Sequence, residues 1–315
     1  MADVMLIGEP MVVFYANEYG SLAEVSQFTK GLAGAEVNVG IGLSRLGHSI
    51  SYVTKLSKDE MGKYIFDYLK NEHFELTHIQ LDASLPVGIM YKNKVKIGDP
   101  EILYYRKGSA ASTISVSDVE EIDFKQLKLL HLTGIPVALS QSLRETVFYL
   151  INKARENKCV ITFDPNLRPS LWESEEIMIQ TINEIAALSD VFLPGLSEAQ
   201  LLTGLTDIDE ISDFYLTQGI EHIVLKQGSE GAYVKGKNHN GTTIKGFEVT
   251  DIVDTVGAGD GFAVGIIDGL LRGLTMEEAC ENANAIGAIQ IQDASDNEAL
   301  PRLEELETFK EKYKR

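Results

Sequence analysis

An aspartate that closes a glycine-rich run just ahead of an apolar stretch combines a proton acceptor with main-chain donors. Asp254-Thr255-Val256-Gly257-Ala258-Gly259-Asp260-Gly261-Phe262 is such a run, and the apolar residues after it predict a helix over 262–271. With so few bulky side chains, several N–H groups at the start of that helix can point into one cavity. Such a cavity binds anions and stabilises charge developing on a phosphoryl group in transfer. Asp260 shares it with Gly257, Ala258 and Gly259, and a carboxylate there can take a proton from a nearby hydroxyl. Residue types alone leave a second reading open: a glycine turn into a helix, with Asp260 as its capping residue.

A second glycine-bearing turn, Leu225-Lys226-Gln227-Gly228-Ser229-Glu230-Gly231, lies between two strand-like segments. Gly228 and Gly231 would let a nucleotide approach the backbone closely, although a plain hairpin turn explains the same residues. In an expected helix over 279–292, Ala283, Ala285, Gly287 and Ala288 leave room for a neighbouring helix or for a flat base. Other phosphate motifs fail. Gly42-Leu43-Ser44-Arg45-Leu46-Gly47-His48-Ser49 has histidine where a P-loop needs lysine, and it lies between a helix and a strand, the reverse of the required order. Arg45 also stands where a dinucleotide fingerprint needs its third glycine. The six histidines show no metal-ligand spacing, and no Ser-His-Asp arrangement is legible.

Chemistry of this kind needs elements that hold the loops in place. Short apolar runs at 4–7, 51–56, 129–132, 160–163, 191–193 and 222–225 read as buried strands. Helical patterns over 34–46, 59–71 (capped by Asp59), 141–157, 175–188 and 209–218 fall between them. Strands alternating with helices predict an α/β protein with a largely parallel sheet covered on both faces, whose ligands sit at the carboxyl ends of the strands. Segments 11–30 and 87–107 break the rhythm, alternating apolar and polar residues without a helical period. They read as β segments pairing into a lid over the pocket, able to form a dimer contact, or else as two surface hairpins. The main domain is then 1–10, 31–86 and 108–315, with 302–315 as a charged, solvated surface helix.

The 315 residues allow one large domain with a small appendage. Lys and Arg number 28 against 47 Asp and Glu, a formal charge of −19. That field repels phosphate backbones and anionic lipid, which argues against nucleic acid and membrane as partners. No apolar run approaches the ~20 residues needed to span a bilayer. No basic segment precedes an apolar one near residue 1, so a cytoplasmic protein is expected. Cys159 and Cys280 follow no metal or redox spacing and read as reduced core thiols.

Two segments carry a family resemblance. Gly31-Leu32-Ala33-Gly34-Ala35-Glu36-Val37-Asn38-Val39 and residues 254–260 are similar to the two signatures of the ribokinase (PfkB) family of carbohydrate kinases, and the likeness extends from the first strand to about Pro301. The resemblance implies a ribokinase-like three-layer α/β/α sandwich with a small β-sheet lid. It implies ATP and Mg2+ as cofactors, Asp260 as the base, and Gly257, Ala258 and Gly259 as the anion hole. Lys226, Gly228, Gly231, Gly257, Gly259 and Asn284 are expected at the nucleotide, and Gly34 and Asn38 at sugar hydroxyls. Asp254 is expected to organise a monovalent cation site beside the anion hole, as in some relatives. Of the Asn-x-x-Glu motif that many relatives place near Mg2+, only the glutamate survives. It is Glu198, expected to reach the metal through water or to serve as a helix-start acid.

Within the family, Tyr104-Tyr105-Arg106-Lys107-Gly108-Ser109-Ala110-Ala111-Ser112 resembles a substrate segment of 2-keto-3-deoxygluconate (2-dehydro-3-deoxygluconate) kinases. Asp164-Pro165-Asn166-Leu167-Arg168, followed by Trp172, resembles a second. Arg106 and Arg168 can each offer a fork of donors to a sugar-acid carboxylate, whereas a neutral sugar would leave both guanidiniums without a partner. Taken singly, either arginine reads equally as a surface or structural ion pair, and Tyr104 either donates to the sugar or packs within the lid. The expected reaction is ATP-dependent phosphorylation of the 6-hydroxyl of such an acid, in a homo-oligomer that is a dimer through the lid or larger. The rival readings are a kinase for fructose, ribose or a nucleoside, and a non-catalytic sugar-binding regulator on the same fold. A nicotinamide dehydrogenase is disfavoured by the missing fingerprint.

Overall fold

Runs that are apolar on both faces become parallel strands here because helices cover them from both sides. The computed structural model describes residues 2–96 and 100–313, and among these residues thirteen strands form two sheets. They are β1 (Val4–Ile7), β2 (Met11–Tyr19), β3 (Phe28–Ala33), β4 (Ile50–Ser57), β5 (Ile79–Asp82), β6 (Gly88–Lys94), β7 (Ile102–Tyr105), β8 (Leu129–Thr133), β9 (Val160–Asp164), β10 (Val191–Phe192), β11 (His222–Lys226), β12 (Ala232–Gly236) and β13 (His239–Ile244). The larger sheet has the order β13-β12-β11-β10-β9-β8-β1-β4-β5. It is parallel from β5 to β11 and antiparallel at β12 and β13.

The helices are α1 (Ala35–Arg45), α2 (Glu60–Asn71), α3 (Gly134–Leu139), α4 (Gln141–Glu156), α5 (Glu175–Ala187), α6 (Leu196–Thr203), α7 (Ile208–Thr217), α8 (Ala258–Arg272), α9 (Met276–Gln290) and α10 (Leu303–Lys312). Successive strand side chains point to opposite faces, so one sheet supplies two cores. Val4 and Leu6 join Val37, Ile65, Val264, Ile286 and Leu306, from α1, α2, α8, α9 and α10. Met5 and Ile7 join Leu143, Ile182, Leu202 and Ile211, from α4, α5, α6 and α7. The product is the expected three-layer α/β/α sandwich. Cys159 and Cys280 are buried free thiols within it.

From β1 the chain moves to β4 and β5 on one side, then returns to β8 and onward on the other. This reversal opens a crevice beyond the carboxyl ends of β1 and β8, the place where open α/β sheets bind ligands. The second sheet, β3-β2-β6-β7, lies at that end as the expected lid, with Met11, Val13, Ala33 and Met90 as its own small core. Strand β3 runs to Ala33, past the expected lid boundary at residue 30, and so leads directly into Gly34 and α1. Residues 97–99 of the expected lid segment, and residues 1, 314 and 315 of the expected main domain, lie outside the described residues.

Element ends differ from expectation where capping decides them. Asp59 caps α2 as expected, its Oδ1 accepting from the N–H groups of Met61 and Gly62 at 3.0 Å each. Helix α8 begins at Ala258 instead of residue 262, because Gly257 provides the cap. Helix α9 begins at Met276 instead of residue 279, because Thr275 and Glu278 form a reciprocal capping box. The charged helix α10 is docked by its fully buried Leu306, not solvated all round.

Candidate active site

Gly257 adopts φ of 82°, which glycine does without steric cost. A Cβ at this position would stand 2.7 Å from the carbonyl oxygen of Asp296. The first bond of α8 runs from Gly261 N–H to the Gly257 carbonyl at 2.9 Å, so the amides of Gly259 and Asp260 find no acceptor among the described residues. They open beside Lys226, whose Nζ lies 3.7 Å from where a Gly259 Cβ would be. Two unsatisfied amides, the positive end of a fifteen-residue helix and an ammonium together suit an anion.

Asp260 sits in the first turn of this helix. Its Oδ2 accepts from Asn38 Nδ2 at 2.8 Å, and Asn166 Nδ2 approaches Oδ1 at 3.5 Å. Burial, the largest cause, pushes its carboxyl up to about 7. Asp164 and Glu36 push the same way, while the Asn38 hydrogen bond and the Arg168 guanidinium pull it down. A carboxylate with proton affinity near neutrality is suited to accept a proton from an alcohol.

Asn38 is itself held. Its Oδ1 accepts from Asn297 Nδ2 at 2.9 Å; Asn297 also donates to the Leu32 carbonyl at 2.7 Å and accepts from the Tyr68 hydroxyl at 3.2 Å. With its oxygen committed to Asn297, Asn38 has to turn its NH2 group toward Asp260.

The crevice floor carries further charge. Asp164, at the end of β9, accepts from Lys226 Nζ at 2.6 Å and from the Asn166 N–H at 3.1 Å. Burial works to lower the proton affinity of Lys226, but Asp164, Glu198 and Asp260 outweigh it and hold the ammonium above its ordinary value. Just past β1, Glu9 accepts from Arg106 Nε at 2.7 Å and Nη2 at 2.6 Å. Glu36 of α1 is buried, accepts from the Thr133 hydroxyl, and is pushed up to about 7 chiefly by burial. Arg168 is exposed and donates to its neighbour's carbonyl, that of Leu167, at 2.9 Å. No carboxylate among the described residues pairs with it.

A family model described as pfkB family carbohydrate kinase matches residues 1–303. The chain belongs to the pfkB family of carbohydrate kinases. It is 46% identical over 308 residues to the 2-dehydro-3-deoxygluconokinase of Bacillus subtilis (strain 168), a match covering 98% of this chain and 95% of that one. The crystal structure of a PfkB protein from Polaromonas sp. JS666 is 38% identical, with a TM-score of 0.90 over 98% of this chain and 99% of that one. A fructokinase from Vibrio cholerae O395, solved with fructose, ADP and a calcium ion, is 26% identical, with a TM-score of 0.86 over 98% and 99%.

In this ATP-dependent carbohydrate kinase the residues singled out from the sequence gather unevenly. Gly257, Ala258, Gly259, Asp260, Asn38, Lys226 and Arg168 meet around the start of α8, and Gly34 caps α1 where a Cβ would lie 2.8 Å from the Glu9 carbonyl oxygen. Gly228, with φ of 58°, has open space around its Cα. Gly231 does not, because a Cβ there would overlap the Ile244 carbonyl, so chain packing accounts for that glycine. Asn284 is buried and donates to the carbonyls of Ile244 and Lys245 at 3.0 and 3.2 Å, fastening the end of β13. Glu198 spends both oxygens on backbone amides, Leu167 N–H at 2.8 Å and Gly195 N–H at 2.7 Å, which is the helix-start alternative. Ala283 packs under Gly265 of α8, the neighbouring-helix reading of the small residues. Tyr104 is exposed on β7, with its ring centre 5.7 Å from the Arg106 guanidinium.

One sequence-based argument is corrected. Arg106 already has Glu9 as a partner, so a neutral sugar would not strand it; only Arg168 stays unpaired. Several residues of this kinase site escaped notice. Glu36 and Asp164 lie inside the quoted motifs, so their positions were a usable signal, whereas Glu9 lies outside them, just past the strand run 4–7. Asn297 has no local signal at all.

Proposed function

We propose that this kinase transfers the terminal phosphoryl group of ATP to the 6-hydroxyl of 2-keto-3-deoxygluconate or a closely related keto-deoxy sugar acid, with Asp260 as general base. The reading rests on one observation: the Asp260 carboxylate shares the start of α8 with acceptor-free amides and feels the charge of the Arg168 guanidinium, which no carboxylate among the described residues pairs. The amides fit a phosphoryl group, and Arg168 fits a substrate carboxylate. The substrate class agrees with the name of the Bacillus subtilis relative, and nucleotide binding with the ADP held by the Vibrio cholerae fructokinase.

When bound, ATP supplies the phosphoryl group and Mg2+ offsets its charge. Asp260 takes the proton from the substrate hydroxyl as that oxygen becomes the nucleophile. Asn38, bonded to Oδ2, keeps the remaining carboxylate oxygen turned toward the substrate. The amides of Gly259 and Asp260 and the Lys226 ammonium stabilise the charge that develops opposite the hydroxyl. Glu198 and Asp164 are engaged by amides and by Lys226, so they would face a metal through water, which Mg2+ commonly retains. Two copies would join through their lids, where Leu103, Tyr104 and Tyr105 of β7 are 43%, 42% and 62% exposed.

ADP-release assays across keto-deoxy sugar acids and neutral sugars test the reading. The acids should be turned over faster. Arg168→Ala should lower kcat/KM for them about 10–100-fold while leaving the KM for ATP nearly unchanged. Faster turnover of fructose or ribose would sink the substrate assignment.

A further inference from the structure

The monovalent cation expected at Asp254 does not fit this chain. Lys92, on lid strand β6, reaches the main domain and places Nζ 2.6 Å from Asp254 Oδ2 and 3.2 Å from Asp296 Oδ1. The three side chains are enclosed, at 3%, 9% and 5% exposure. Tyr15 covers them from the lid. Its ring centre lies 5.6 Å from Nζ, and its hydroxyl accepts from the Asp296 N–H at 3.0 Å. An incoming cation would meet an ammonium already bonded to Asp254, the carboxylate expected to hold it, and to Asp296 beside it.

The two carboxylates belong to the segments that shape the anion hole. Asp254 Oδ1 accepts from the Val256 N–H at 3.0 Å, immediately before Gly257. The Asp296 carbonyl faces Gly257, and the next residue, Asn297, orients Asn38 and through it Asp260. The Val253 N–H also donates to the Ile291 carbonyl at 2.8 Å, tying the loop before the hole to the end of α9.

We infer that the Lys92 ammonium is a built-in counter-cation, replacing a bound monovalent ion, locking the anion-hole loop to the 293–297 loop, and making turnover independent of potassium and sodium. Lys92 touches no reacting atom, so it is a positioning residue. Because it comes from the lid, one buried ion group joins lid seating to anion-hole geometry. Its removal leaves two buried carboxylates without a counter-charge, a vacancy that a small cation can fill.

The test follows phosphoryl transfer and thermal unfolding in tetramethylammonium buffer, with or without potassium or sodium at matched ionic strength. Wild-type turnover should agree within about twofold across these salts, with one Tm, since screening is held constant. Lys92→Ala should turn over at least about tenfold more slowly in tetramethylammonium, and potassium should restore activity and raise Tm by binding the folded state. Wild-type rate or Tm that climbs with potassium overturns the inference. So does a Lys92→Ala protein fully active without potassium, or a folded one that potassium neither stabilises nor reactivates. If Lys92→Ala fails to fold, the wild-type titration still decides. Unfolding needs no substrate, so a wrong sugar assignment leaves the potassium result readable.

Discussion

Asp260 shares its surroundings with Asp164 and Glu36, and burial together with these carboxylates raises its proton affinity to about 7. The base form is therefore the species above that value. The kcat/KM of the wild type should rise with pH and level off above about 7, while Asp260→Asn should lose ~10²–10⁴-fold in kcat with both ligands still bound. A near wild-type rate in that variant, measured at pH 8, would remove Asp260 as the base. The same shift has a cost in stability. The folded carboxyl holds its proton up to about 7, whereas an unperturbed one releases it near 3.8, so stability falls as pH rises through that window. Asp260→Asn should unfold at a higher temperature than wild type at pH 8, with the gap closing toward pH 4, as read by calorimetry.

Helix α8 is the element that turns these residues into a site. Its start depends on Gly257, whose left-handed conformation costs other residues about 1–2 kcal/mol and whose missing Cβ makes room for the Asp296 carbonyl. Gly257→Ala should lower both Tm and kcat although it leaves Asp260 in place, and unchanged values of both would show that the loop tolerates a side chain. Farther along, Gly265 and Gly269 let α9 approach through Ala283 and Ala279, so the helix is held by backbone proximity. That packing anchors the residues whose amides point into the crevice.

Across the whole molecule, the lid has one open side, its edge strand β7, none of whose residues is buried. Leu103 and Tyr105 stand exposed on its edge strand β7, an open edge of the kind that pairs or becomes covered. Replacing both by Lys should convert a lid-mediated dimer to monomers in light scattering behind size exclusion; a wild-type monomer at micromolar concentration would dispose of the dimer. The formal charge of −19 sets a repulsive background for anionic ligands, which the local cations Lys226 and Arg168 counter at the crevice. No helix among the described residues is long and apolar enough to cross a membrane.

By itself the amino-acid sequence determined what is local: the parallel strands apart from β5, the two lid segments, and the glycine run around Gly257 that ends in Asp260. Such features depend on backbone freedom and periodicity over a few residues, so they are written where they occur. Only the tertiary structure decided which groups meet. Asn38 and Asp260 are 222 positions apart, Arg106 and Glu9 are 97 apart, and Lys92 and Asp296 are 204 apart. A charged side chain read in isolation shows neither its counter-ion nor its burial. For Arg106 the ion-pair reading and the substrate reading stood equal until Glu9 appeared beside it, and nothing near Lys92 in the chain marks its pairing with two buried acids. Strand order and lid placement bring these partners together, and chain spacing carries no trace of that.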